Sequence, residues 1–311
     1  YNLQSPTASA KWPPDVLGKV RQSSLDGVAL INALRVERDL GTPGRGGLPA
    51  TVATRLAGGA GWRLNGRKIY STGIPLLRWM LVWARSDDEP DPLVGYFLAD
   101  STSSAPGVER TWDSLGMRAT RSDDTIFEDV DIPLDHAVGV APASAGLGGI
   151  EPSAIVSNAL MVSAVYQGVA RSARDWLATY LNERTPSNLG APLASLPRFH
   201  EEFGRIEAHV AAGDRSLTSM AREIDADPSN LRAAMSSQLV KYEVTNGAID
   251  AVLAAVRLIG NPGLLRDHPL ERHLRNVLHG PVHSPQDDTI LATSGRAALR
   301  AAATNTTKVA R

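Results

Sequence analysis

The spacing of apolar residues changes once along this chain, across the glycine- and alanine-rich stretch APASAGLGG at residues 141–149. Before it, short runs of β-forming residues are broken by turn signals. After it, apolar residues recur every three to four positions over long stretches. Side chains alternate across a strand but repeat about every 3.6 residues round a helix, so one type of layer cannot serve both patterns. A β domain followed by a helical domain, an α+β chain, is therefore predicted, and 311 residues are enough for two cores.

In the first half, 28–140, residues 79–84 and 93–98 are short apolar runs, and the acidic, proline-bearing 87–92 separates them as a turn. Residues 125–130 read as another strand, stopped at Ile132-Pro133. Asn65-Gly66 predicts a two-residue hairpin turn, because both turn positions need positive φ. Several strands at this spacing suggest a β-barrel or sandwich. In the second half, 150–311, three stripes alternate spacings of four and three. They run from Ile155 to Tyr180, from Phe199 to Ile224, and through Leu231, Met235, Leu239, Tyr242, Asn246, Ile249, Leu253 and Val256. Each is read as the buried side of a long helix. A fourth helix is expected from Asp287-Asp288, whose carboxylates suit a helix N-terminus. Four long helices imply an antiparallel bundle.

Composition narrows the chemistry. The net charge of −1 gives no electrostatic case for nucleic acid or an anionic membrane. The sequence has no uninterrupted apolar run of spanning length, and residues 1–14 lack the pattern of a secretory signal. Cysteine is absent, which excludes disulfides, thiolate catalysis and cysteine-ligated zinc or iron–sulfur centres. A cytoplasmic location is expected. There is no Walker loop, dinucleotide-binding glycine fingerprint, His-Glu-x-x-His or nucleophile elbow. His268 and His273 bracket Pro269 with poor geometry for a metal, and no metal is predicted.

Four segments are more specific: ALRVERDLGTP at 33–43, GRKIYSTG at 66–73, LGMRATRSDDTIFEDVDIP at 115–133 and RLIGNPGLLRDHPLERHLRN at 257–276. In this order, around a β-to-helical switch, they resemble the acyl-CoA dehydrogenase superfamily. The resemblance implies a middle β domain, a C-terminal four-helix bundle and a further N-terminal helical domain. Residues 1–27 are read as a remnant of that last domain, which is expected to be absent or truncated. It also implies flavin adenine dinucleotide (FAD), an acyl-CoA or related small-molecule substrate, and a homodimer or homotetramer.

Residue by residue, the resemblance places Tyr70 beside the flavin ring and Thr72 next to its N5. Leu34 and Val36 stand where backbone contacts the ring, and Thr42 where a serine helps bind the acyl-CoA. Arg184 aligns with an arginine that reaches the flavin pyrophosphate across a subunit interface. Arg257 and Gly260 occupy the family's double-glycine loop, and Asp288 is a candidate for the flavin hydroxyls.

The catalytic position departs from the pattern. Family dehydrogenases remove the substrate α-proton with a glutamate, and that position falls on Ser284 here; the alternative position, on the first bundle helix, falls on Asn158. Neither is a carboxylate. His283 and His279 flank the vacancy, and a histidine is a reasonable acid–base group near neutral pH. Three readings follow: a dehydrogenase acting on the Cα–Cβ bond of an acyl-CoA thioester, a reduced-flavin-dependent monooxygenase of the same fold with Ser284 and His283 at its centre, or a non-catalytic flavin- or acyl-binding relative.

Overall fold

The computed structural model describes residues 11–40, 47–145 and 152–309. It separates into two compact units. A sheet unit comprises residues up to 149 apart from Leu115–Met117, and a helical unit comprises those three residues with Ile150–Arg311.

The sheet unit starts with helix α1 (Pro14–Asp26). The strands are β1 (Leu30–Leu34), β2 (Val52–Arg55), β3 (Gly61–Lys68), β4 (Leu77–Ser86), β5 (Leu93–Asp100), β6 (Gly107–Glu109), β7 (Asp124–Pro133) and β8 (Ala137–Pro142). They join one sheet in the order β6-β7-β3-β2-β4-β5-β8, with β1 pairing parallel to β4. Alternation along β4 and β5 explains its two cores. Met80, Val82, Ala84, Phe97 and Ala99 enter one core, while Trp79, Leu81, Tyr96 and Leu98 enter the other. The first core also holds Trp62 and Leu64 of β3 and Phe127 and Ile132 of β7, and Trp62 meets Phe97 edge to face at 5.2 Å. Strands far apart in the sheet order therefore share one interior, which requires the sheet to curl around it. The second core is covered by Trp12 and by Val16, Leu17 and Val20 of α1.

The hairpin expected at Asn65-Gly66 is not there. Both residues lie inside β3, and the register with β7 shifts between Leu64 and Gly66. Gly66 sits at φ 150°, and a Cβ there would stand 2.6 Å from Thr51 Oγ1 and 2.7 Å from Thr51 Cα. The Asn65 side chain pairs with Asp129 on β7, donating to Oδ1 (3.1 Å) and accepting from its backbone N–H (3.0 Å). The Asn-Gly pair thus forms a bulge beneath a close strand, not a turn.

The helical unit contains α2 (Pro152–Glu183), α3 (Pro197–Ala226), α4 (Leu231–Ile259), the short α5 (Pro269–Val277) and α6 (Asp287–Val309). Tyr166, Ala173 and Leu177 of α2, Phe199, Ile206 and Val210 of α3, Ala248 to Val256 of α4, and Leu270 and Val277 of α5 make its main core. α6 contributes Ile290 in its first turn and is otherwise largely exposed over its described side chains. α2 is long and apolar enough by composition to cross a membrane, contrary to the sequence expectation, but its apolar stripe is occupied in this core.

The third stripe is misplaced over its first half, while Ile249 and Val256 near its end do meet the core. Leu231, Met235 and Leu239 are 70, 60 and 40 % exposed, whereas α4 buries Ala233, Ala234, Ser237, Lys241, Val244, Thr245, Ala248 and Ala251. Packed against α2 and α3 together, α4 needs small side chains on its inner face, so its large residues turn outward. The first stripe lies closer to prediction. There, buried Gln167 donates to Val210 O (2.7 Å) and Asp214 Oδ1 (2.6 Å), with Gly213 leaving room for its amide.

Candidate flavin and proton-transfer sites

In the sheet unit, three of the motif segments converge. Val36 pairs with Ile69, whose N–H donates to Val36 O at 2.9 Å. Beneath this bridge, fully buried Lys68 donates to Glu37 Oε1 at 2.6 Å. Glu37 also accepts from Thr51 Oγ1 (2.6 Å) and from the backbone N–H of Ala50 (2.7 Å) and Thr51 (3.0 Å). Burial pushes the Glu37 carboxyl up, but the Lys68 and Thr51 hydrogen bonds outweigh it and hold its pKa below the ordinary value.

The next residues turn outward. Tyr70 takes φ 56° and is 59 % exposed, a strained backbone for a bulky side chain. The turn is fixed on every side. Thr72 N donates to Tyr70 O (2.8 Å), Asn32 Nδ2 to Thr72 O (3.0 Å), Ser71 N to Asp123 O (3.2 Å) and Gly73 N to Thr120 O (2.7 Å). The Thr72 hydroxyl meets Ser122 Oγ at 2.9 Å, and Ser122 meets Thr120 Oγ1 at 2.8 Å. Buried Asp123 accepts from the N–H of Trp112 (3.0 Å) and from Arg121 Nε (2.9 Å), which holds the Trp112 ring 6.1 Å from Tyr70, edge to face. An exposed aromatic ring with an exposed threonine two residues on fits a planar, hydrogen-bonding heterocycle such as a flavin. Leu34 is 2 % exposed with its side chain in the sheet core, so its backbone alone is available to a ring. Thr42 lies outside the described residues. A cleft between α1 and β4, lined by Lys19, Gln22, Arg78, Trp79 and Asp100, contains none of the predicted site residues.

In the helical unit, His283 and Ser284 lie in the turn before α6, and both are exposed. The Tyr166 hydroxyl lies 3.0 Å from His283 Nδ1. Burial pushes the Tyr166 phenol up to about 12. Partial burial, then the Lys241 ammonium and His279, hold the His283 imidazole below its ordinary pKa. Lys241 is fully buried and donates to Gly280 O (2.8 Å) and Asp287 Oδ1 (2.9 Å), while Asn246 Nδ2 donates to Asp287 Oδ2 (2.8 Å). Asp287 is therefore engaged on both oxygens. Asp288 Oδ1 accepts from its neighbour Thr289 N (2.7 Å). Asn158 is exposed on α2.

The other predicted residues lie apart from this turn. Arg184 follows the last residue of α2, exposed, with its backbone held by Tyr180 O (2.9 Å) and Leu193 N (3.0 Å). Arg257 is exposed in the last turn of α4. Gly260 ends that helix at φ 68°, so termination alone accounts for a glycine there. Sequence reasoning missed Glu37, Lys68 and Lys241, and read Tyr166 and Asn246 only as packing. Glu37 and Lys68 do stand inside two of the motif segments, which is the one signal that points to them.

A curled sheet and a helical bundle bearing these segments define a flavoenzyme-type fold, and the comparisons agree. The family described as acyl-CoA dehydrogenase, C-terminal domain, matches residues 160–287, and that described as acyl-CoA dehydrogenase, middle domain, matches residues 40–130. A putative acyl-CoA dehydrogenase, YdbM, of Bacillus subtilis (strain 168) is 32 % identical over 282 residues, 90 % of this chain and 71 % of that protein. The chain belongs to the acyl-CoA dehydrogenase family. L-Evernosamine nitrososynthase of Micromonospora sp. is 24 % identical over 77 % of this chain, which spans only 58 % of that protein's length. The solved structure of KijD3 in complex with FMN and dTDP-3-amino-2,3,6-trideoxy-4-keto-3-methyl-D-glucose aligns with TM-score 0.75 and 23 % identity over 92 % of this chain and 69 % of that one. Solved relatives of this fold carry FMN or FAD.

Proposed function

We propose that this protein is a flavin-dependent oxidoreductase that handles its proton with the Tyr166–His283 pair in place of a carboxylate, and that it works as a reduced-flavin monooxygenase on a small molecule. The observation that carries this is the turn before α6. By the family resemblance the glutamate position falls on Ser284; in the turn that carries it, Asp287 is engaged by Lys241 and Asn246, and the His283 imidazole is bonded to Tyr166.

Tyr70 would offer its ring to the flavin, Thr72 its hydroxyl, and Val36 and Leu34 their backbone; Arg184 and Arg257 are the candidate phosphate contacts. When bound, the flavin supplies two-electron redox chemistry and, once reduced, reaction with molecular oxygen. The chain's own part is proton handling. A phenol with pKa near 12 keeps its proton, and donating it to Nδ1 leaves the proton of neutral His283 on Nε2. Such an N–H can hydrogen-bond a developing anion and so stabilise it.

Spectra and oxygen uptake test this reading. Flavin reduced only through an added reductase, followed by oxygen consumption with oxygenated product, is the expected result. Rapid anaerobic bleaching by acyl-CoA would overturn it in favour of α,β-dehydrogenation, and failure to bind flavin would leave a non-catalytic relative. The similarity to YdbM favours the dehydrogenation reading. On that reading Ser284→Glu restores the missing base and raises acyl-CoA-driven flavin reduction by about 10²–10⁴-fold; no gain over wild type in that assay counts against it.

Arg184→Ala should weaken flavin binding by about 1.5–3 kcal/mol, the worth of a charge-assisted hydrogen bond. Arg215→Ala, on the exposed face of α3, is the control. Equal flavin dissociation constants for the two variants would remove Arg184 from the site. The protein should also be a homodimer or homotetramer, because Leu231, Met235 and Leu239 leave large apolar groups uncovered on α4. Light scattering that gives a stable monomer with full flavin occupancy would reject this.

A further inference from the structure

We propose that Lys241 is a positioning residue for His283: from α4 it ties down both ends of the turn that carries the imidazole, and so fixes the imidazole against Tyr166. This deepens the reading of His283 as the proton-handling group and rests on it. A lysine in the middle of a buried helix face is costly unless its ammonium is matched. Among the described residues the match is made through Gly280 O at one end of the turn and Asp287 at the other. The turn closes on itself between these anchors: Asp287 N–H donates to Pro281 O (3.0 Å) and His283 N–H to His279 O (3.0 Å).

It also lies flat on α4. A Cβ at Gly280 would stand 2.9 Å from Thr245 Cβ, one turn along from Lys241, so no side chain fits beneath. Asn246 takes the second Asp287 oxygen from the same helix. His283 is thus held from α2 by Tyr166 and from α4 through Lys241. The ionisable groups around it are Tyr166 on α2, Lys241 on α4, His279 in the turn, and Asp287 and Asp288 at the start of α6.

The two partners of the ion pair should move His283 in opposite directions, which a merely structural role would not do. The measurement is NMR titration of the His283 imidazole in the full chain, assigned with His283→Gln. Lys241→Met removes a positive charge and frees a carboxylate, so the pKa of His283 should rise by about one pH unit. Asp287→Asn leaves the ammonium unmatched, so it should fall. A rise in both variants would mean simple loosening of the turn and would overturn the proposal, as would no change in either. If Lys241→Met does not fold, Asp287→Asn decides alone: a fall supports the proposal, and a rise or no change rejects it. No flavin or substrate enters this titration, so it stands or fails separately from the monooxygenase assay.

Discussion

Lys68→Ala should destabilise the sheet unit by about 3–5 kcal/mol, because it strands a buried carboxylate that was matched. Lys68 is fully buried and Glu37 is 5 % exposed, so water cannot take over the lost partner. The shift in the sheet unit's melting midpoint should be on the order of 10 °C. The double variant Glu37→Gln with Lys68→Met should recover much of the loss, since the cost lies in the orphaned charge and not in a missing attraction. The pH dependence has a defined sign. The native pKa of Glu37 lies below the ordinary 4.5, so its contribution is fully present above that value and is lost as pH falls through the lowered one. Wild type should therefore show an acid limb of stability that the double variant lacks. Identical acid limbs, or a Lys68→Ala midpoint within a degree or two of wild type, would show that the pair is not a matched buried charge.

His283→Ala should lower coupled product formation by about 10²–10⁴-fold, the range of a general acid–base group, while flavin continues to oxidise without product. Tyr166→Phe keeps the ring packed in the bundle core and removes only the hydroxyl at 3.0 Å from Nδ1, so its loss should be smaller and should carry a changed pH profile. Product yield per flavin oxidised separates the two effects from a general loss of activity. Wild-type yield in His283→Ala would move the proton-handling role to another residue.

The sheet-to-bundle order was legible because periodicity reports directly on burial. Trp79 to Ala84 alternates between two real cores, and Val156 to Leu181 keeps a helical stripe. What failed depended on partners. Asn65-Gly66 carries a turn signal, but only the neighbouring Thr51 and Asp129 make it a bulge. Leu231, Met235 and Leu239 look like a core stripe until α2 and α3 claim the opposite face. Motif resemblance brought out Tyr70 and Thr72, since the segments that carry them are local. Tyr166 and His283 are 117 positions apart, and Lys241 and Asp287 are 46 apart, so nothing local announces either pair. A lysine inside a helical pattern reads as solvated unless its partner is seen.

Leu115–Met117 is a short piece of early chain built into the helical unit. Met117 N–H donates to Asn276 Oδ1 (2.7 Å) and Arg275 to Leu115 O (2.9 Å), and Gly116 lies against the Arg275 carbonyl with no space for a Cβ. These bonds span 159 and 160 residues. During synthesis the tripeptide must wait until α5 has emerged before it finds its seat, so the helical unit cannot be finished from its own stretch of sequence alone. An expressed fragment of residues 150–311 would carry an empty seat beside Asn276, and supplying residues 105–125 as a separate peptide should protect the α5 amides from hydrogen exchange.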